Sequence, residues 1–171
     1  MPKLTPYQER IVGVWQQHGH AEFGLKDPDA ALATFGEDPC YIMGIPLGQL
    51  LWGRAAIHAY YAREFLPKIP RDFEMTPISR VVGESHIVDE FVCRYTHTVE
   101  MPWMLPGLRP SARRVEVFMI AVVGFRGEKM AYEHLMWDHA SVLSQVGLVD
   151  HPTAALGRTS PAELVRLASS T

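Results

Sequence analysis

Four segments between Phe73 and Trp137 limit what this chain can fold into. Residues 73–82, 87–99, 115–125 and 130–137 are rich in β-branched and aromatic residues, the composition of strands. Gly83-Glu84-Ser85 and Arg126-Gly127-Glu128 are connections short enough for hairpins. A longer loop over 101–112, holding Pro102, Pro106 and Pro110, joins the middle pair. Before residue 73 the pattern is helical, apart from a short strand over 39–45. Helices first and antiparallel strands after predict an α+β domain. Its N-terminal helices would wrap one face of a curved mixed or antiparallel sheet and enclose a pocket.

The helices carry their own start and stop signals. Thr5-Pro6-Tyr7-Gln8 reads as a capping box with proline at the first helical position. The apolar stripe that follows is Tyr7, Ile11, Val14, Trp15 and His18. Asp27-Pro28 opens a short second helix. A third, over 53–66, presents Ile57, Tyr60, Tyr61 and Phe65, and Pro67 and Pro70 end it. Residues 140–146 form a short helix that Gly147 can terminate. Ser160-Pro161-Ala162-Glu163 is a second capping box. The expected organisation is one domain over 1–150 and a tail over 151–171 with a short helix.

Composition excludes several function classes. A chain of 171 residues with 47% hydrophobic and 20% charged residues can build one ordinary core. A formal charge of -3 gives no general attraction to nucleic acid or an anionic membrane. Arg109, Arg113 and Arg114 cluster in a proline-containing segment and read as a solvated rim. The apolar run over 115–125 is too short to span a bilayer, and the N-terminus lacks the apolar run of a signal peptide. Cys40 and Cys93 sit in apolar segments and read as buried free thiols of a reducing cytoplasm.

The candidate chemistry centres on the last strand, which ends at Asp138. Alternation puts Tyr132, His134, Met136 and Asp138 on one face, a mixture suited to a pocket wall. The competing reading is a half-buried strand whose Asp138 caps the next helix. His134 and Asp138 lie four residues apart, roughly 13 Å along a strand, so they form no direct dyad. His97 or His18 is freer to partner Asp138 across strands. His97 ends the inward set Phe91, Cys93 and Tyr95, near a pocket mouth or bonded within the core. Tyr41, Tyr61 and Trp103 are candidate pocket aromatics, or simply core. Glu116 is a rim residue or a second pocket carboxylate. His18 and His20 lack an evident third ligand, and no His-Glu-x-x-His motif occurs, so no metal is expected.

A family resemblance joins these observations. Asp38-Pro39-Cys40-Tyr41 followed by Gly53-Arg54-Ala55-Ala56-Ile57 resembles a first strand and helix start of the nuclear transport factor two-like superfamily. The likeness is to its SnoaL-like, polyketide cyclase-like branch. Arg113-Arg114-Val115-Glu116-Val117 resembles the start of that family's long fourth strand. The stretch 129–147, with Trp137-Asp138 and Gln145-Val146-Gly147, resembles its last strand and helix. The resemblance implies a cone-shaped fold over residues 5–150 and an acid or base at Asp138. Trp103-Met104-Leu105-Pro106-Gly107 is similar to relatives labelled dienelactone hydrolase-related, but no Gly-x-Ser-x-Gly or Gly-x-Cys-x-Gly elbow is present.

The expected activity is cofactor-independent acid–base chemistry on an apolar cyclic or enolisable small molecule. Asp138 would move the proton and His97 or a tyrosine would stabilise an oxyanion. His134, Met136, Tyr41, Tyr61, Trp103 and Glu116 would contact the substrate. The alternative is a non-catalytic module that binds a small ligand or dimerises. The segment 115–125 is apolar on both faces, which predicts a homodimer through the outer face of the sheet.

Overall fold

The computed structural model describes residues 3–149 and 160–169. Helix α1 (Pro6–Gly19) starts as its capping box dictates. The Gln8 backbone N–H donates to Thr5 Oγ1, and the Thr5 N–H donates to the Gln8 side chain. The helix then widens into a π turn, His20–Leu25. Helix α2 (Pro28–Leu32) is capped by Asp27. Strands β1 (Tyr41–Gly44) and β2 (Gln49–Trp52) pair around a short turn. Helix α3 (Arg54–Tyr60) also ends in a π turn, Tyr61–Phe65.

Four long strands follow: β3 (Glu74–Val82), β4 (His86–Thr96), β5 (Arg114–Arg126) and β6 (Lys129–Trp137). Helix α4 (His139–Gln145) closes the main unit, and α5 (Pro161–Ala168) comes after it. The sheet order is β2-β1-β6-β5-β4-β3. Its pairs are antiparallel except β1 with β6, which run parallel. This is the expected α+β arrangement with a mixed sheet. Strand β2 was not anticipated, because four residues between Gly48 and Gly53 give too little alternation to read.

The helical face of the sheet holds the core. Val115, Val117, Met119, Ala121 and Val123 of β5 are buried there with Ile11, Ile57 and Tyr61. The Gly53-Arg54 pair anchors α3 to this arrangement. Gly53 has φ +85°, and a Cβ there would sit 3.4 Å from the Asp38 carboxylate. That carboxylate accepts from the Arg54 N–H, while the Arg54 guanidinium donates to the Phe35 and Gly36 carbonyls. Cys40 and Cys93 are free and buried. Among the described residues no helix is long and apolar enough to cross a membrane.

The outer face is half-covered. Helix α5 packs against β3, β4 and β5, and its Ala162 N–H donates to Glu116 Oε1 at 2.8 Å. Glu116 also accepts from Arg94. Toward β1 and β2, Tyr41 stacks between Trp52 and Tyr132, and Trp52 is 60% exposed.

Candidate functional site

A cavity of about 300 Å³ lies between the inner face of the sheet and helices α1 and α3. Its walls are mostly aromatic: Trp15, Phe23, Phe65, Phe73, Trp103 and Trp137. This volume is at the lower end for small-molecule sites, and a few polar groups interrupt an apolar lining, as such sites require.

The first polar group is built from three elements. His18 on α1 and Glu22 on the following π turn are four residues apart, and His18 Nε2 lies 3.2 Å from Glu22 Oε1. Glu133 on β6 brings its Oε2 to 3.9 Å from the same nitrogen. The Tyr61 hydroxyl, on the π turn of α3, is 3.2 Å from it as well. All four side chains are buried, and Glu22, Glu133 and Tyr61 line the cavity. Both π turns therefore sit at the site, where such wide turns recur in proteins.

Burial sets the charges. Desolvation pushes the Glu133 carboxyl up to about 8; the Glu22 charge adds to this and His18 opposes it. Burial alone would hold His18 down, but the charge and hydrogen bond of Glu22, with Glu133 behind them, raise it overall. Burial holds the Tyr60 and Tyr61 phenols well above their ordinary range, and Glu22 and Glu133 add to that. Near neutral pH Glu133 therefore holds its proton and Tyr61 keeps its hydroxyl hydrogen, while Glu22 favours the charged form of His18.

A second polar group lies where the cavity meets solvent. Asp89 accepts two hydrogen bonds from Arg80, both 2.6 Å, and a third from Trp15 Nε1 at 2.7 Å. Among the described residues no group of three or more His, Cys, Asp or Glu side chains is arranged to hold a metal ion.

The site residues expected from sequence divide in two. Tyr61 and Trp103 line the cavity. Asp138 does not: it is exposed and accepts from the Ser141 N–H at 3.0 Å as the N-cap of α4. His134 and Met136 point to the outer face with Tyr41, whose hydroxyl is 3.0 Å from His134 Nε2. The physical reason is register. Leu135 and Trp137 of β6 pair with Ala121 and Met119, the buried face of β5, so Glu133, Leu135 and Trp137 face inward. Glu116 lies on the outer face, on Arg94 and α5. His97 is fully buried outside the cavity lining; its Nδ1 accepts from the Ser111 N–H, and burial holds its pKa down.

Glu22 and Glu133 line the cavity and were not among the site residues expected from sequence. The His18-to-Glu22 spacing on the apolar stripe was a readable signal, because i, i+4 side chains meet on a helix. Glu133 had none, since alternation defines two faces without naming the inner one.

No protein-family description and no curated protein matches this sequence. Solved structures do match. A proposed SnoaL-like polyketide cyclase from Jannaschia sp. CCS1 superposes with a TM-score of 0.71 at 13% identity, over 87% of this chain and 99% of that one. A ketosteroid isomerase-like protein from Catenulispora acidiphila, solved with trimethylamine, gives 0.59 at 23% identity, over 85% and 96%. TsrD from Streptomyces laurentii gives 0.63 at 17%, over 86% and 100%. Agreement over nearly the whole of each neighbour, at such low identity, is agreement of architecture: the chain has the nuclear transport factor two-like cone fold, shared with SnoaL-like and ketosteroid isomerase-like proteins.

Proposed function

We propose that this protein is a cofactor-independent acid–base catalyst acting on an apolar cyclic or enolisable small molecule. The observation that carries this is Glu133: a carboxyl buried in an aromatic cavity, titrating near 8, with an imidazole and a second carboxylate beside it. A group with that affinity holds a proton at neutral pH yet releases it readily, which suits transfer to or from a reacting carbon or oxygen. Glu133 takes the role the sequence reading gave to Asp138. Tyr61 supplies a neutral donor for a developing oxyanion. Isomerisation, aldol cyclisation, dehydration and hydrolysis all fit this equipment, and neighbours described as polyketide cyclase and ketosteroid isomerase-like support the class.

The test is a screen of enolisable ketones, lactones and epoxides with wild type and Glu133→Gln side by side. Turnover in wild type that is lost in the variant supports the reading. Ligands that bind and stabilise the fold without any turnover favour a binding module instead.

We also propose that two copies pair through the outer face of the sheet. Half-buried Phe118, Ile120, Val122 and Met136 share that face with exposed Trp52 and Leu50, and apolar side chains gathered on one face are what an interface needs. Sedimentation of wild type as a dimer, and of Trp52→Arg as a monomer or a weaker dimer, supports this. A monomeric wild type at micromolar concentration rejects it.

A further inference from the structure

We propose that Thr34 is a positioning residue that fixes the proton of His18 on Nδ1, leaving Nε2 as the atom that exchanges a proton with the two glutamates. The role of Nε2 rests on the acid–base reading of the cavity, but the tautomer is a property of the resting protein.

The geometry around Nδ1 leaves one arrangement. Thr34 Oγ1 lies 2.8 Å from His18 Nδ1 and 2.6 Å from the Ala31 carbonyl oxygen. A hydroxyl has one hydrogen, and a 2.6 Å approach between two oxygens needs a hydrogen between them. The Thr34 hydroxyl therefore donates to Ala31 and offers only lone pairs to His18. The Ala31 carbonyl, which also interacts with the imidazole, can only accept. The hydrogen-bond partner of Nδ1 is thus an acceptor, and the stable state has Nδ1 protonated.

Thr34 is itself immobilised. It is 1% exposed, its carbonyl accepts from the Met130 N–H at 3.0 Å, and its hydroxyl packs 3.4 Å from Met130 Sδ. The turn after α2 is thereby tied to the first residues of β6, the strand that carries Glu133. Trp15 stacks on the His18 ring at 5.4 Å and Phe35 packs against it in a T-shaped contact, so aromatic side chains hold the ring from two sides.

Nε2 faces a different set. Glu22 from the π turn of α1, Glu133 from β6 and the Tyr61 hydroxyl from α3 converge on it. The protonated ring donates to Glu22. The neutral ring accepts from Tyr61 or from a protonated glutamate. Moving one proton from Nε2 to a glutamate discharges the imidazolium and one carboxylate together, so net charge in the cavity is conserved. With the opposite tautomer Nε2 would already hold the proton in the neutral ring, and that exchange would be blocked.

The experiment is nitrogen-15 NMR of histidine-labelled protein across a pH titration, for wild type, Thr34→Val and Thr34→Ser. Wild type should lose its Nε2 proton on titration and show the Nδ1–H tautomer above the midpoint. Thr34→Val, which removes the acceptor at constant shape, should move the neutral ring toward the Nε2–H tautomer and lower the proton affinity of His18 about fivefold, because the lost hydrogen bond is roughly twice as strong to the charged ring as to the neutral one. Thr34→Ser should restore it. A wild-type neutral ring protonated on Nε2 overturns the proposal without any variant, and so does a ring that stays doubly protonated throughout the folded range. An unchanged affinity in a folded Thr34→Val overturns the role of Thr34. Failure of every substrate screen with the tautomer as described removes catalysis and leaves the assignment of Thr34 standing.

Discussion

Glu133 Oε2 lies 3.9 Å from His18 Nε2, a contact that ties the last strand of the sheet to the first helix. A carboxyl so placed is costly as a bare charge and useful as a proton carrier. Glu133→Gln keeps shape and hydrogen bonding but cannot titrate. Turnover should fall by about a hundredfold or more, the usual scale for losing a general acid or base. Steady-state kinetics on any substrate found by screening checks this, with near-ultraviolet circular dichroism to establish that the fold is intact.

The same residue sets a pH dependence of stability. Its folded-state pKa, about 8, lies above the ordinary carboxylate value, so the folded protein binds more protons than the unfolded chain between the two. The stabilising effect is complete below the ordinary value and is lost as pH rises through about 8. His18, also raised, adds loss of the same sign. Denaturant midpoints should therefore fall from mildly acidic to mildly alkaline pH, and Glu133→Gln should flatten much of that slope. A wild-type midpoint that rises over this interval contradicts the assignment.

Asp138 should behave as a cap. Asp138→Ala removes the acceptor for the Ser141 N–H and should cost about 1 kcal/mol, whereas Asp138→Asn should be nearly neutral. Both variants should retain the ligand affinity of wild type. Urea titration and ligand-induced thermal shifts check the two halves of this expectation.

Gly124 on β5 lies under the Tyr132 ring: a Cβ there would come within 2.4 Å of ring carbons. Gly124→Ala should displace Tyr132 and break its 2.6 Å hydrogen bond with His86 Nε2. The expected loss is about 1–3 kcal/mol, the range for overpacking a close contact. Loss of the dimer in the same variant would link this stack to assembly.

Local rules carried most of the architecture. The Thr5–Gln8 box, the Ser160 cap and the hairpin between β5 and β6 are decided by neighbours in sequence, and all formed where expected. The site was less legible because it depends on register. Both faces of β6 mix polar and apolar residues, and the outer Tyr132, His134 and Met136 look as pocket-like as the inner Glu133, Leu135 and Trp137. Only pairing with β5 and β1 shows which set meets the helices. Glu133 also reads as an ordinary exposed acid until His18 and Glu22, far away in sequence, are placed beside it.

The π turns at His20–Leu25 and Tyr61–Phe65 have a further consequence. A π turn amounts to an α turn with one residue inserted, and each α-helical residue advances the chain by about 100°. Removing one residue from the first turn would leave a regular helix with satisfied backbone hydrogen bonds. It would also swing the following loop and α2, and with them Thr34, out of phase with His18. A variant lacking that residue would keep the cone and lose the convergence on His18. The proposed site is thus separable from the scaffold by the smallest change a gene can make in frame.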